Sequence, residues 1–183
     1  FVAIGLTAHS PAVIVARKDL PAKDLREFVA YLKQNGGAVK QAHGGIGASS
    51  HMACLLFTTA IGVTPTLVAY RGSVPALTDV VSGQIPMMIV DLTPAQQLID
   101  DGKVRAFGIT SPVRAKSAPN IPTIAEAGLP GYSGEGWFGV IAKKGTPEPI
   151  VNVLNKTISD YIKRPDIAEK VYATGIQPRT GTV

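Results

Sequence analysis

The stretch VKQAHGGIGASSHMACLLFTTAIGVTPTLVAY, residues 39–70, decides the fold. A strand near residues 39–42 runs into a glycine-rich coil, a helix follows from about Ser49, and a second strand occupies residues 66–69. Strand, glycine turn, helix, strand is the unit of parallel sheets, because a helix must carry the chain back before the next parallel strand can begin.

The unit recurs on both sides of this stretch. Upstream, PAVIVARKDLPAKDLREFVAYLKQNGG predicts a strand over residues 12–16 and a helix whose apolar Leu25, Phe28, Val29 and Leu32 recur at three and four, ending at Gly36 and Gly37. Asp24 near its start suits the helix macrodipole. Downstream, YRGS opens a helix with Pro75 in its first turn, a strand covers residues 85–90, a helix runs over residues 93–102, and a strand covers residues 104–110. These apolar strands predict an α/β fold with a mainly parallel sheet covered by helices on both faces. The Pro-rich SPVRAKSAPNIP leads to a short helix with a capping box from Thr123 to Glu126, stopped at Gly128. GLPGYSGEG reads as a linker, so residues 128–136 are the candidate boundary or hinge. A strand at residues 137–142 and helices near 147–162 and 166–174 complete the pattern.

Bulk properties exclude several classes. The chain is 183 residues long and 45% hydrophobic, enough for a proper core. Its longest apolar run, Met87-Met88-Ile89-Val90, falls far short of the roughly 18 residues of a membrane helix. The net charge of +5 is dispersed, with Lys23, Arg26, Lys33 and Lys40 early and Lys143, Lys144, Lys163 and Arg164 late. That pattern shows no nucleic-acid patch, and as an acidic partner a small anion would serve as well as a polymer. The lone Cys54 excludes an internal disulfide and a multi-cysteine metal site. FVAIGLTAHS opens without a Met or a signal peptide and its first residues already read as strand, and IQPRTGTV stops without a helix, so the expectation is a piece of a longer chain.

Within HGGIGASSHMACLL, glycines permit close approach to the main chain, and the helix start at Ala48 or Ser49 favours an anion at its free N–H groups. A tight strand-to-helix turn with a serine cap is the competing reading. Other chemistries fit poorly. No lysine lies between Lys40 and Lys103 for a phosphate loop, GGIGAS lacks a third glycine for a dinucleotide fingerprint, and Ser49 and Ser50 lie outside any G-x-S-x-G elbow. His9, His43 and His51 lack helical ligand spacing, so no metal is expected. His51 reads as support for the loop, its ring bonded to the coil or a strand end, and Cys54 as a small core residue.

The next strand end repeats the physics: Tyr70 and Arg71 leave the strand, Gly72 turns, and Ser73 caps. Arg71 could fork onto a carboxylate or stand solvated. Asp91 ends an apolar strand at the same sheet edge, able to cap the following helix or to meet a ligand ammonium or water. Trp137 reads as a buried or hinge aromatic.

Taken together, GGIGASSHMA, VAYRGSVPALTDVVSGQIPMMIVD, GKVRAFGITSPVRAKSAPNIPTIAEAGLPGY and WFGVIAKKGTPEPIVNVLN resemble the Bug (TctC-like) receptors. These are the extracytoplasmic solute-binding proteins of tripartite tricarboxylate transporters. The resemblance implies a periplasmic-binding-protein-like (type II) fold, with residues 1–130 as the second of two lobes and 131–183 as hinge and return segment to the first. It implies no catalytic residues and no cofactor, a small carboxylic acid or acidic amino acid as ligand, membrane components of the transporter as partners, and a periplasmic location. By the motif match, Gly45, Gly47, Ala48, Ser49 and Ser50 inherit the binding role, with His51 at the motif's histidine. Tyr70, Arg71 and Gly72 match the next pocket-edge loop, and Asp91 the acidic residue after the following strand. The family's glycine-rich first-lobe loop and its terminal helices have no counterpart here. His43 and Ala48 replace smaller or hydroxyl residues, and Pro86 a frequent acidic one. The alternative class is the small-acid effector domain of a transcription regulator, which an N-terminal helix-turn-helix in the full gene product would reveal. An enzyme would need a nucleophile, a base pair or a metal set, for which the sequence offers no convincing candidate.

Overall fold

The computed structural model describes residues 1–181. Along the chain lie β1 (Val2–Arg17), α1 (Leu25–Asn35), β2 (Lys40–His43), α2 (Ser49–Ile61), β3 (Thr66–Ala69), α3 (Ser73–Val81), β4 (Met87–Asp91), α4 (Leu92–Asp100) and β5 (Val104–Ile109). They are followed by α5 (Ile124–Ala127), β6 (Glu135–Ala142), α6 (Glu148–Ile162), α7 (Pro165–Ala173) and β7 (Gln177–Gly181).

The main sheet has the order β3-β2-β4-β1-β5. β2 runs parallel to β3 and β4, whereas β1 runs antiparallel to β4 and β5, so β3, β2, β4 and β5 share one direction and β1 opposes them. The mainly parallel expectation therefore needs one correction. An apolar run carries no direction, and β1 is separated from its successor β2 by β4. β1 is also far longer than the five residues its apolar centre suggests. Its first half leaves the main sheet and pairs antiparallel with β6 and β7.

Alternation along the central strands builds two cores. Ala12, Ile14, Ala16, Met87 and Ile89 face one way, against Leu25, Phe28 and Leu32 of α1 and Cys54, Phe57 and Ile61 of α2. Val13, Val15, Met88 and Val90 face the other way, against Ala76, Leu77 and Val80 of α3 and Leu92 and Ala95 of α4. A sheet buried on both faces needs such near-continuous apolar strands. At about 25 cal/mol per Å² of apolar surface, these layers supply most of the stability.

Local signals set the edges. Asp24 caps α1 by accepting the Glu27 N–H, and Thr123 and Glu126 form a reciprocal capping box on α5. GLPGYSGEG is packed rather than loose. Tyr132 is buried edge-on to Phe57, the Gly134 N–H donates to the Thr110 carbonyl, and Glu135 and Gly136 open β6. α6 and α7 differ from the other long helices in having no buried residue, and Ile150, Val153, Leu154 and Tyr161 stand exposed. Beside them Thr7, Phe138, Tyr161, Ile167, Val171 and Ile176 border an apolar groove of about 510 Å³.

Candidate functional site

The site forms where the parallel strands β2, β3 and β4 end and α2, α3 and α4 begin. A helix start leaves N–H groups without intrahelical partners, and a side-chain cap normally takes one of them. α1 and α5 are capped in this way, but α2, α3 and α4 receive no side-chain cap bond. Their N-cap positions are Ala48, Gly72 and Asp91. The expected serine caps are thus absent. Ser49 and Ser73 are first helical residues, one position too late to cap, and the Asp91 side chain turns to other partners.

The coil before α2 is pinned by three side chains. The Gly44 N–H donates to Ser50 Oγ at 2.9 Å, the Gly45 N–H to His43 Nδ1 at 3.3 Å, and the Gly47 N–H to His51 Nδ1 at 3.2 Å. Gly45 and Gly47 have φ of +125° and +81°, conformations that side chains resist. The neighbouring turn is zipped to this coil, with the Tyr70 N–H donating to the His43 carbonyl and the Gly72 N–H to the Gly44 carbonyl. A Cβ on Gly44 would lie 3.1 Å from Gly72 C, Ser73 N and Ser73 Oγ, so only glycine permits that approach.

Ser49 and Asp91 come together. The Ser49 hydroxyl donates to Asp91 Oδ2 at 3.0 Å and the Ser10 hydroxyl to Oδ1 at 3.3 Å. Both residues border a cavity of about 350 Å³ with Ala12, Met52, Leu56, Glu135 and Trp137. Glu135 accepts from His9 Nδ1 at 3.1 Å. Trp137 is 65% exposed on β6, which overturns the buried alternative of its reading as a buried or hinge aromatic. The free amides of α2 can hold an anion, its apolar residues can pack a carbon chain, and Asp91 can accept from a hydroxyl, an ammonium or a water.

Of the residues singled out, Ser49 and Asp91 border this cavity, whereas Gly45, Gly47, Ala48, Ser50, His51, Tyr70, Arg71 and Gly72 do not. The Tyr70 hydroxyl donates to Asp79 Oδ2 at 2.6 Å; burial, and then the Asp79 carboxylate, push its phenol up to about 12. Arg71 is exposed. Cys54 is fully buried, and burial pushes its thiol up to about 12. Among the described residues no group of three potential metal ligands gathers. Sequence reasoning missed Glu135 at the cavity, and Ser10 and His9 as the partners of Asp91 and Glu135, because only long-range strand pairing brings them together: Ala12 pairs Asp91, and Pro11 pairs Glu135.

Helix starts gathered at the carboxyl ends of parallel strands beside a cavity place the chain in the class of open α/β sheets, whose ligand sites commonly lie in strand-end crevices. Within that class, the chain belongs to the TctC family, the tripartite tricarboxylate transporter family receptors, whose profile matches residues 2–182. It is 40% identical over 182 residues to the UPF0065 protein in the tcbD-tcbE intergenic region of Pseudomonas sp. strain P51, covering 99% of this chain and 54% of that protein. It is 30% identical over 181 residues to protein BugT of Bordetella pertussis, covering 99% of this chain and 56% of that one. The chain thus spans about half the length of these curated relatives. Among solved structures, R. palustris Rpa4515 with adipate superposes with a TM-score of 0.87 at 31% identity, over 100% of this chain and 61% of that one.

Proposed function

We propose that this chain supplies one wall of a periplasmic receptor that closes on a small carboxylated solute and presents it to the membrane components of a tripartite transporter. The carrying observation is the junction of three helix starts without side-chain caps at one sheet edge, next to the cavity that Ser49 and Asp91 share. Residues 1–130 act as the second lobe in this reading and residues 131–183 as the hinge and return to the first. The exposed apolar residues of α6 and the neighbouring groove suit a surface that the rest of the first lobe covers. A solved relative carrying adipate supports a carboxylate as cargo. The reading assigns binding and closure to the site, with no catalytic step.

Calorimetry of the full-length protein against dicarboxylates, tricarboxylates, aromatic acids and acidic amino acids tests the reading, with Ser49→Asp as the probe variant. A carboxylate introduced about 4 Å from a bound carboxylate costs about 4 kcal/mol at an effective dielectric of about 20, roughly a thousandfold in affinity. Binding by Ser49→Asp at wild-type affinity would sink the assignment.

A further inference from the structure

We propose that His43 and His51 are positioning residues for the entry loop of α2, and that holding a solute and taking up a proton exclude each other there. The consequence for solute rests on the receptor reading above; the brace itself does not. His43 ends β2 with 2% of its surface exposed, and His51 is the third residue of α2. Their rings lie 4.4 Å apart between centroids, tilted by 33°.

Each ring meets the loop through the same atom, its Nδ1, which accepts from Gly45 at His43 and from Gly47 at His51. A ring nitrogen that accepts carries no hydrogen, so the one hydrogen of each neutral imidazole sits on Nε2. The atom left to receive a proton is therefore the atom bonded to the loop. Protonation turns each N–H···N contact into two opposed N–H groups, and a second proton sets like charges 4.4 Å apart. With Ser50 holding Gly44, the three side chains take the amides of 44, 45 and 47. The first-turn amides of α2, uncapped by any side chain, are left for the solute.

Among the described residues neither imidazole is ion-paired. The titratable and charged side chains on the surrounding elements are Lys40 on β2, Cys54 on α2, Tyr70 and Arg71 on the turn after β3, Asp79 on α3 and Asp91 at the end of β4. Asp79 accepts from Tyr70, and Asp91 from Ser10 and Ser49. Among the described residues no carboxylate lies within 4.0 Å of either ring.

The test takes the full-length protein between pH 7.5 and 5.5, the span in which imidazoles titrate. In ¹⁵N spectra without solute, the Gly45 and Gly47 amides should shift together with the ring nitrogens of the pair. In calorimetry with malate and adipate, Kd should rise tenfold or more toward pH 5.5. His51→Asn keeps an acceptor that does not titrate; whatever its affinity at pH 7.5, its Kd should change between pH 7.5 and 5.5 by half or less of the wild-type change. Amides that stay put across the range overturn the brace. A Kd unchanged or lower at pH 5.5, or an acid profile in His51→Asn matching the wild type, overturns the coupling to solute. Absence of binding by these or any other small carboxylates at pH 7.5 counts against the receptor reading, while the amide titration still decides the brace.

Discussion

Replacing Gly44 with alanine should separate the two loops at the sheet edge. The new Cβ would stand 3.1 Å from the Gly72 carbonyl carbon, the Ser73 nitrogen and the Ser73 hydroxyl, where ordinary contact begins at 3.4 Å. Two of those three atoms are backbone. They cannot swing aside, because the turn is tied to the coil by the Tyr70 N–H to His43 carbonyl bond at 2.9 Å and the Gly72 N–H to Gly44 carbonyl bond at 3.2 Å. Overpacking of this kind costs about 1–3 kcal/mol, and losing the weaker tie adds about 1 kcal/mol. At about 2–4 °C per kcal/mol the sum, about 2–4 kcal/mol, lowers Tm by roughly 4–16 °C. Circular dichroism melts of the full-length protein, paired with calorimetry of any solute it binds, measure both consequences. Gly47→Ala is the matched control: nothing lies within 4 Å of its Cβ, and only its φ of +81° is strained. That strain costs about 1 kcal/mol. A Gly44→Ala protein that melts within 1 °C of wild type and binds equally well would refute the view that the two loops form one packed surface.

Three further outcomes follow from burial and capping. Cys54, with its thiol pushed up to about 12, should resist a disulfide reagent at pH 8 in the native protein and react only in denaturant; native labelling within minutes would contradict its packing. Burial pushes the phenols of Tyr70 and Tyr132 up to about 12, above the roughly 10 of an unfolded chain. The folded state therefore holds these protons more tightly. The stability they contribute is complete below about pH 10 and lost as pH climbs toward about 12, so alkaline melts should fall in that window and flatten in a Tyr70→Phe, Tyr132→Phe double variant. Thr123→Ala removes one half of the α5 capping box and should cost about 1 kcal/mol, a Tm drop of roughly 2–4 °C. An unchanged melt would mean that α5 is held by Ile124 packing alone.

What could be read before folding was whatever local chemistry decides. Phe28 and Leu32 announced a helix face, Thr123 and Glu126 announced a cap, and the run from Met87 to Val90 announced a buried strand, because each signal lies within one or two turns of chain. The direction of β1 was hidden, since residue alternation is the same whichever way a strand runs. Strand was legible in the first residues and again over 12–16, but their continuity was hidden by Ser10-Pro11, which looks like punctuation yet sits within one strand. β7 was missed because Gln177, Pro178, Arg179 and Thr180 carry no apolar alternation and are ordered by pairing with β1. At the site, the glycine coil was visible. Its bracing was only half visible: His51 was read as support for the loop, whereas the stacking of His43 on it needs the strand and helix in place. Ser10 and Asp91 lie 81 positions apart and meet only through the β1–β4 register.

β1 also bears on how sequences of this kind can change. One strand of 16 residues is the common neighbour of β4, β5, β6 and β7. Removing a single residue from a strand turns every side chain beyond the cut to the opposite face. The pairing has slack between Ala3 and Gly5, between Leu6 and Ala8, and between Ile14 and Val15, where the register already shifts. Between Ala8 and Ile14 there is none, and a deletion there would misalign Ala12 against Asp91 and Pro11 against Glu135 in one step. Among relatives of this chain, length variation in β1 should collect at those three irregular steps and be purged from the seven residues 8–14, even where individual side chains drift.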